Sequence, residues 1–166
     1  GIQATNNDLL KLIGRRHNFT QAVNAVRDAR RAGFDNISVD LMYGLPSQRK
    51  SDWADTLARI IELHPEHISC YGLKLEPGTR MYREYNGSAI MPDDDEQADM
   101  YSYAAEMLQR YGYMHYEVSN FCAPGFPSRH NIKYWNLDDY MGFGPGAHSC
   151  IGNLRYSYVR DLKQYI

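Results

Sequence analysis

The sequence predicts an α/β fold built on a parallel β-sheet. Two segments with apolar residues at helical spacing are each followed, after a short turn, by a run typical of a β-strand. The dipeptide Ile-Ser occurs in both runs, at residues 37–38 and 68–69, and one strand-plus-helix unit separates the two copies. Because strands that alternate with helices pair in parallel, this rhythm favours a parallel sheet, open or closed into a barrel.

Capping residues and helix-ending residues mark the first two helices. Thr20 is a suitable N-cap for the first helix, which Gly33 ends, and the strand 36–41 follows. Ser51 is the corresponding N-cap of the second helix, which ends before Pro65. Each helix therefore leads into a strand, as a parallel sheet requires.

A third unit follows the second strand, 67–73, after a longer insertion. Asp93 and Glu96 have the spacing of a capping box, with Asp in place of Ser or Thr. The helix that they begin ends near Gly112, and residues 113–118 form the next predicted strand.

The strand–helix rhythm stops in the last third of the chain, where Pro, Gly and aromatic residues dominate. A β-hairpin is predicted there, with strands at 146–150 and 155–159 around a turn at 152–153. We therefore expect two regions, the strand–helix units in 1–118 and a smaller α+β subregion in 119–166.

The composition excludes several classes of protein. The 166 residues carry a net charge of −2, and the basic residues are scattered, so nucleic acid is not an expected partner. No apolar run is long enough to span a bilayer. Cys70, Cys122 and Cys150 are odd in number and far apart, which favours a reducing cytoplasm over a disulfide framework and provides no close-spaced metal ligands.

Ligands of parallel sheets bind beyond the carboxyl ends of the strands, and four sets of residues lie there. They are Gln3 at the end of the first strand, a long connection that carries Arg15, Arg16 and His17, Asp40 with the loop 42–46, and residues 74–78 after the strand 67–73. Since an unpaired buried carboxylate would be costly, Asp40 either holds a ligand hydroxyl or pairs with Arg15.

The segment His130–Trp135 has two interpretations. Its histidine could ligate the iron of a planar macrocycle while Tyr134 and Trp135 stack on the ring. Alternatively, His130 is a loop residue bonded to a backbone carbonyl, with two aromatic side chains in the core. The glycine-rich run 142–148 lacks the Lys-Ser/Thr ending of a phosphate loop, so a close-packed backbone is the simpler interpretation.

Seven stretches, taken in order, resemble one family over essentially the whole chain. It is the radical S-adenosylmethionine (SAM) family of oxygen-independent coproporphyrinogen III oxidases and their relatives, the bacterial heme chaperones. The stretches are Gly1–Gln3, Leu9–Arg15, Val39–Pro46, Leu75–Thr79, Gly112–Asn120, His130–Trp135 and Gly144–His148.

The resemblance implies that the chain is the later part of a partial (β/α) barrel with S-adenosylmethionine and a [4Fe–4S] cluster as cofactors. Gln3, Arg15 and Asp40 stand at positions that bind S-adenosylmethionine in the family. Lys74 and His148 also align with ligand-contacting positions. Small or aliphatic side chains occur there in the oxidases, so a backbone or altered contact is implied for these two.

The signature His-Asn-x-x-Tyr-Trp distinguishes the heme chaperones from the oxidases within this family. It is present here as His130, Asn131, Tyr134 and Trp135, which implies that these residues bind heme. The expected function is therefore that of a heme chaperone that passes heme to acceptor proteins. The alternative is an oxidase of porphyrin biosynthesis that converts two coproporphyrinogen propionates to vinyl groups, and a non-catalytic relic is a third hypothesis.

The family's Cys-x-x-x-Cys-x-x-Cys motif is absent from this sequence. We expect those cysteines to lie upstream, in the first strands of the barrel, which makes the chain a fragment of a longer protein. The 166 residues on their own are not expected to bind the cluster or to cleave S-adenosylmethionine reductively.

Overall fold

A computed structural model describes all 166 residues. The chain divides into two compact units, Gly1–Pro127 and Ser128–Ile166. None of its helices combines the length and the apolar composition needed to cross a bilayer. The elements of the first unit are, in order, α1 (Asn7–Leu12), α2 (Phe19–Arg31), β1 (Ser38–Tyr43), α3 (Lys50–Ile61), β2 (His67–Gly72), α4 (Arg80–Tyr85), α5 (Asp94–Arg110), β3 (Met114–His115) and β4 (Asn120–Cys122).

The four strands form one mixed sheet in the order β1–β2–β4–β3. Strands β1 and β2 are parallel and pair from Ser38↔His67 to Tyr43↔Gly72. Strand β4 is antiparallel to both β2 and β3. The predicted α/β class and the parallel pairing of the first two strands are thus confirmed. The segment 113–118, predicted as another strand of the parallel sheet, contributes only the short β3 at the sheet's outer edge.

One face of the sheet packs against α2, α3 and α5 to form the main core. The largest buried side chain is Trp53 on α3, whose indole Nε1 donates to the carbonyl oxygen of Met100 on α5 at 2.8 Å. This bond joins the two helices, because a buried indole N–H needs an acceptor. The strands contribute Val39, Leu41, Ile68, Cys70 and Phe121 to this core.

The observed N-cap agrees with the predicted one in helix α5 and differs from it in helix α2. Asp93 and Glu96 form the predicted capping box, with the Glu96 N–H donating to Asp93 Oδ1 at 2.8 Å and the Asp93 N–H to Glu96 Oε2 at 3.0 Å. Thr20 is not the N-cap of α2. Asn18 caps that helix instead, because Asn18 and Gln21 exchange two side-chain-to-backbone hydrogen bonds of 2.9 Å.

Two further helix starts differ from the prediction. Helix α3 begins one residue before Ser51, and Arg49 is at the N-cap position. The backbone N–H of Arg49 donates to the Asp52 carboxylate at 2.9 Å. Helix α1 lies in a segment that the sequence predicts as a connection. Asn6 caps α1, and its side chain accepts from the backbone N–H groups of Asp8 and Leu9.

The second unit consists of two helices and a hairpin. The predicted hairpin is confirmed, and Gly152 and Asn153 have φ values of 55° and 68°, as a type I′ turn requires. A Cβ atom on Gly142 would collide with the carbonyl oxygen of His148, so the glycine-rich run is a close-packed backbone, as predicted. The elements are α6 (Arg129–Asn136), β5 (His148–Ile151), β6 (Leu154–Ser157) and α7 (Leu162–Tyr165).

Candidate functional site

The face of the sheet opposite the helices is lined by polar side chains. Because side chains alternate along a strand, the residues between the core positions of β1, β2 and β4 point to this second face. We call it the polar face, and it is defined by Ser38, Asp40, His67, Ser69 and Asn120.

Three of these residues lie in one row across the sheet. Asp40 on β1 is in register with Ser69 on β2, and Ser69 is in register with Asn120 on β4. Ser69 and Asn120 are each only 3% exposed, whereas the side chain of Asp40 is 46% exposed. The Asn120 Oδ1 atom is buried and has no hydrogen-bond partner. The row therefore joins an accessible carboxylate to an unsatisfied amide oxygen.

The second row is centred on His67, which is 4% exposed. Its Nδ1 atom lies 2.8 Å from Ser38 Oγ, and its Nε2 atom lies 2.7 Å from the Tyr116 hydroxyl oxygen. Burial lowers the pKa of His67 below its ordinary value, and the nearby carboxylates of Asp40 and Glu117 oppose that shift only in part. His67 is thus a neutral imidazole, fixed at both nitrogens, beside two carboxylates.

Gln3 and Asp40, two of the candidate residues, lie together at the edge of the sheet. The Gln3 N–H donates to the Asp40 carbonyl oxygen, and the Gln3 carbonyl oxygen accepts from the Met42 N–H, both at 2.9 Å. Gln3 is buried and has a φ of 71°, in the left-handed region that few non-glycine residues adopt. No ion pair joins Asp40 to Arg15, whose side chain lines a different part of the surface.

Arg15 and Lys74 are exposed and lie apart from this pair. Arg15 lines a cavity of about 370 Å³ formed by the loop around it, which includes Lys11, Arg16 and His17. The Lys74 ammonium group pairs with Glu76 at 3.2 Å, and its side chain is largely solvated. The first unit therefore brings two of the four candidates together, whereas Arg15 and Lys74 have other neighbours.

In the second unit, the segment His130–Trp135 lies on helix α6, not in a loop. Residues four apart share a helix face, and the Tyr134 hydroxyl lies 2.9 Å from His130 Nε2. Ser128 caps the helix by accepting from the Asn131 N–H at 3.3 Å. Trp135 is 58% exposed and is not a core residue, which removes one part of the structural interpretation of this segment.

Other large apolar side chains of the second unit are also exposed. Single exposed apolar residues are common, but several in one small unit indicate a binding surface. The exposed apolar residues beside α6 in sequence are Leu137, Met141 and Phe143.

His148 is the remaining candidate residue. It is exposed at the first position of β5.

The sequence reasoning did not single out His67, Ser69 or Asn120. The first two could have been found, because polar residues at 67 and 69 alternate with apolar residues at 68 and 70, as in a strand with one polar face. Asn120 gives no such signal, since only the pairing of β4 with β2 shows where it points.

Comparison with known proteins assigns this fold to a class. Residues 1–60 match the Radical SAM superfamily. The solved structure of coproporphyrinogen III oxidase (HemN) from Escherichia coli superposes with a TM-score of 0.82 at 24% identity, over 99% of this chain and 41% of that one. At that identity the likeness shows the fold, which is that of a radical SAM barrel.

Sequence relatives define the group more narrowly. The chain is 41% identical to the heme chaperone HemW of Lactococcus lactis and 38% identical to that of Bacillus subtilis, over its whole length in both cases. It is 39% identical to a mitochondrial radical S-adenosyl methionine domain-containing protein 1 of Danio rerio, over 89% of its length. The chain thus matches the radical SAM superfamily over residues 1–60 and is similar over its whole length to heme chaperones. It spans 44% of the length of both bacterial relatives.

The match to the radical SAM superfamily implies S-adenosylmethionine and a [4Fe–4S] cluster, and the residues present fit only the first. No three His, Cys, Asp or Glu side chains are grouped so that they could hold a metal ion. Cys70, Cys122 and Cys150 are all buried. By contrast, the Asp40 side chain is 46% exposed, and a carboxylate is an acceptor of the kind that the hydroxyl groups of a nucleoside require.

Proposed function

We propose that the protein containing this chain is a cytoplasmic heme chaperone, which binds heme through helix α6 and delivers it to acceptor proteins. The observation that carries the proposal is the exposed pair of His130 and Trp135 on one short helix. A neutral imidazole is a common iron ligand, and exposed aromatic side chains offer apolar contact to a planar macrocycle. The heme chaperones that match over the whole chain support the same conclusion.

Heme binding by α6 requires a change at His130. Its Nε2 atom is hydrogen-bonded to Tyr134, so ligation of iron through that atom requires the phenol to move away. Trp135 then contacts the macrocycle, and the neighbouring Asn131 completes the motif. Because these side chains are on the surface, bound heme remains accessible to an acceptor protein, as a chaperone requires.

The same proposal assigns S-adenosylmethionine to the first unit. When bound, S-adenosylmethionine would supply the adenosyl group for radical chemistry, and Gln3 and Asp40 are the residues of this unit that would hold it. Gln3 and Asp40 orient its adenosyl part through hydrogen bonds, because both lie at the sheet edge next to the polar face. Arg15 and Lys74 are proposed as further contacts, of which Arg15 adds a positive charge that suits the carboxylate of the cofactor, and a role for His148 stays a prediction.

Hemin titration of the protein that contains this chain tests the heme site. Trp135 is exposed on α6, and bound hemin is expected to shift its own Soret band. A combined His130→Ala, Trp135→Ala variant should lose the Soret shift, and retention of that shift would contradict the proposal.

The oxidase remains the second candidate, because HemN has the same fold. Given S-adenosylmethionine, a reductant and an electron acceptor, an oxidase in its cluster-loaded form would convert two propionates of coproporphyrinogen to vinyl groups with release of two CO2, which gives protoporphyrinogen. It would cleave S-adenosylmethionine to methionine and 5′-deoxyadenosine at the same time. Absence of protoporphyrinogen together with stoichiometric hemin binding would leave the chaperone as the function. Formation of protoporphyrinogen would replace it with the oxidase.

A further inference from the structure

We propose that Asn120 and Ser69 extend the S-adenosylmethionine site from Asp40 across the polar face, and that Asn120 Oδ1 accepts a hydrogen bond from the adenosyl part of the ligand. The inference rests on the proposed function, which assigns that cofactor to Asp40. It adds two residues, Ser69 on β2 and Asn120 on β4, that the set of candidate site residues did not contain.

The first argument is the row itself. Asp40, Ser69 and Asn120 occupy neighbouring strands in direct register, on the face opposite α2, α3 and α5. Neighbouring strands lie about 4.8 Å apart, so the row spans about 10 Å from Asp40 to Asn120. A nucleoside held at Asp40 extends across β2 in the direction of Asn120 once the groups that cover Ser69 and Asn120, each 3% exposed, move aside.

The second argument is the unsatisfied oxygen. Asn120 is 3% exposed, and its Oδ1 atom has no hydrogen-bond partner. Buried side-chain oxygens are nearly always bonded, since leaving one unpaired costs free energy. Asp40, which lies in the same row, is acceptor-only when ionised and offers no proton. The missing partner is therefore a group that brings its own O–H or N–H.

The third argument is charge. Both Asp40 and Glu117 act on His67 as nearby carboxylates, so the polar face carries two negative groups around a neutral imidazole. This environment repels anions such as the propionates of heme and favours a ligand that donates hydrogen bonds or carries positive charge. S-adenosylmethionine has ribose hydroxyls, an exocyclic amine and a sulfonium centre, and thus meets both conditions.

The experiment pairs changes in the protein with changes in the ligand. Adenosine is titrated into the protein that contains this chain, alongside purine riboside, which lacks the exocyclic amine, and 2′-deoxy- and 3′-deoxyadenosine, which each lack one hydroxyl. Asn120→Leu keeps the approximate shape but removes the acceptor. This variant should weaken adenosine binding about tenfold. It should leave unchanged the affinity for one of the three analogues, the one that lacks the group donating to Asn120.

Controls separate this contact from a structural effect. Asn120→Asp keeps an acceptor and should bind adenosine at least as well as the unmodified protein. Tyr113→Phe removes a hydroxyl that donates to the Pro65 carbonyl oxygen in the core on the helix side of the sheet, and it should not change adenosine binding. Equal weakening for adenosine and all its analogues, or no weakening in Asn120→Leu, overturns the inference. If Asn120→Leu does not fold, Asn120→Ser, whose oxygen is too short to reach the ligand, is judged by the same criteria.

A last variant distinguishes failure of the inference from failure of the proposed function. Asp40→Asn should weaken adenosine binding in the same titration. If it does so while Asn120→Leu has no effect, the site at Asp40 stands and its extension to Asn120 is wrong. If neither change has an effect, the assignment of S-adenosylmethionine to Asp40 is wrong as well.

Discussion

Replacement of Tyr134 by Phe should strengthen hemin binding, although it removes a residue of the proposed heme motif. The Tyr134 hydroxyl bonds His130 Nε2 at 2.9 Å, and that bond must break before iron can take the same nitrogen. A hydrogen bond between neutral groups contributes about 0.5–1.5 kcal/mol net, and Tyr134 is exposed enough to place this one between about 0.5 and 1 kcal/mol. Phe keeps the ring and removes the competing bond, so affinity should rise about two- to fivefold.

The assay is a hemin titration followed by Soret absorbance, in parallel for the unmodified protein and two variants. The matched control is Tyr158→Phe, in the same unit, because its ring contacts Tyr156 and Tyr165 and not the histidine. Tyr158→Phe should leave hemin affinity unchanged. An unchanged or reduced affinity in Tyr134→Phe would refute the reasoning, since it would mean that iron does not compete with Tyr134 for His130 Nε2.

Three further predictions concern the first unit. The pKa of His67 is lowered in the folded state, so the neutral imidazole stabilises the fold above about pH 6.5 and this stabilisation is lost as the pH falls below that value. The urea midpoint should therefore decrease less between pH 7.5 and 5.5 in His67→Gln than in the unmodified protein. Burial opposes ionisation of Glu66, but hydrogen bonds from Arg30 and the Ile37 N–H lower its pKa. Glu66→Gln should therefore reduce the free energy of unfolding by about 1–3 kcal/mol at neutral pH. In urea melts, the difference in stability between this variant and the unmodified protein should shrink below about pH 4.5. Burial raises the pKa of the Cys70 thiol, so iodoacetamide should label it only after unfolding, and rapid labelling of the native protein in a mass spectrum would contradict its buried position.

Local signals in the sequence predicted one of the helix caps correctly. Asp93 and Glu96 make two reciprocal bonds over three residues. Asp94 and Gln97 have the same spacing but do not form the cap. Thr20 failed because Asn18, two residues earlier, finds its reciprocal partner in Gln21. Residue type alone does not decide between two nearby caps, since the choice depends on which side chains can bond back.

Helix α6 escaped prediction for a related reason. Pro and Gly precede it at residues 124–127, and such residues indicate a loop. Ser128 then caps a short helix that turns His130 and Tyr134 towards each other. The family resemblance identified the residues of this motif, but only the helix explains why the histidine and the tyrosine interact.

The polar face could be predicted from the sequence only in part. The spacing of residues along β2 indicates a polar face, but a strand's partner and direction depend on contacts that are distant in sequence. Strand β4 is antiparallel to β2, and this pairing alone places Asn120 beside Ser69. The unsatisfied oxygen is therefore a consequence of topology, and no local pattern could have predicted it.

The two proposed binding sites, the polar face and helix α6, differ in polarity, and for this reason one chain can contain both. The polar face presents acceptors and carboxylates, around Asp40, and disfavours an anionic macrocycle. Helix α6 presents an imidazole and an exposed indole, which suit a metal-centred apolar ring and have little to offer a nucleoside's hydroxyl groups. The hydrogen bonds of His67 stay within the sheet unit and those of His130 stay within α6. Because the two sites share no side chain, each ligand is selected by its own chemistry, and neither site has to compromise its polarity for the other.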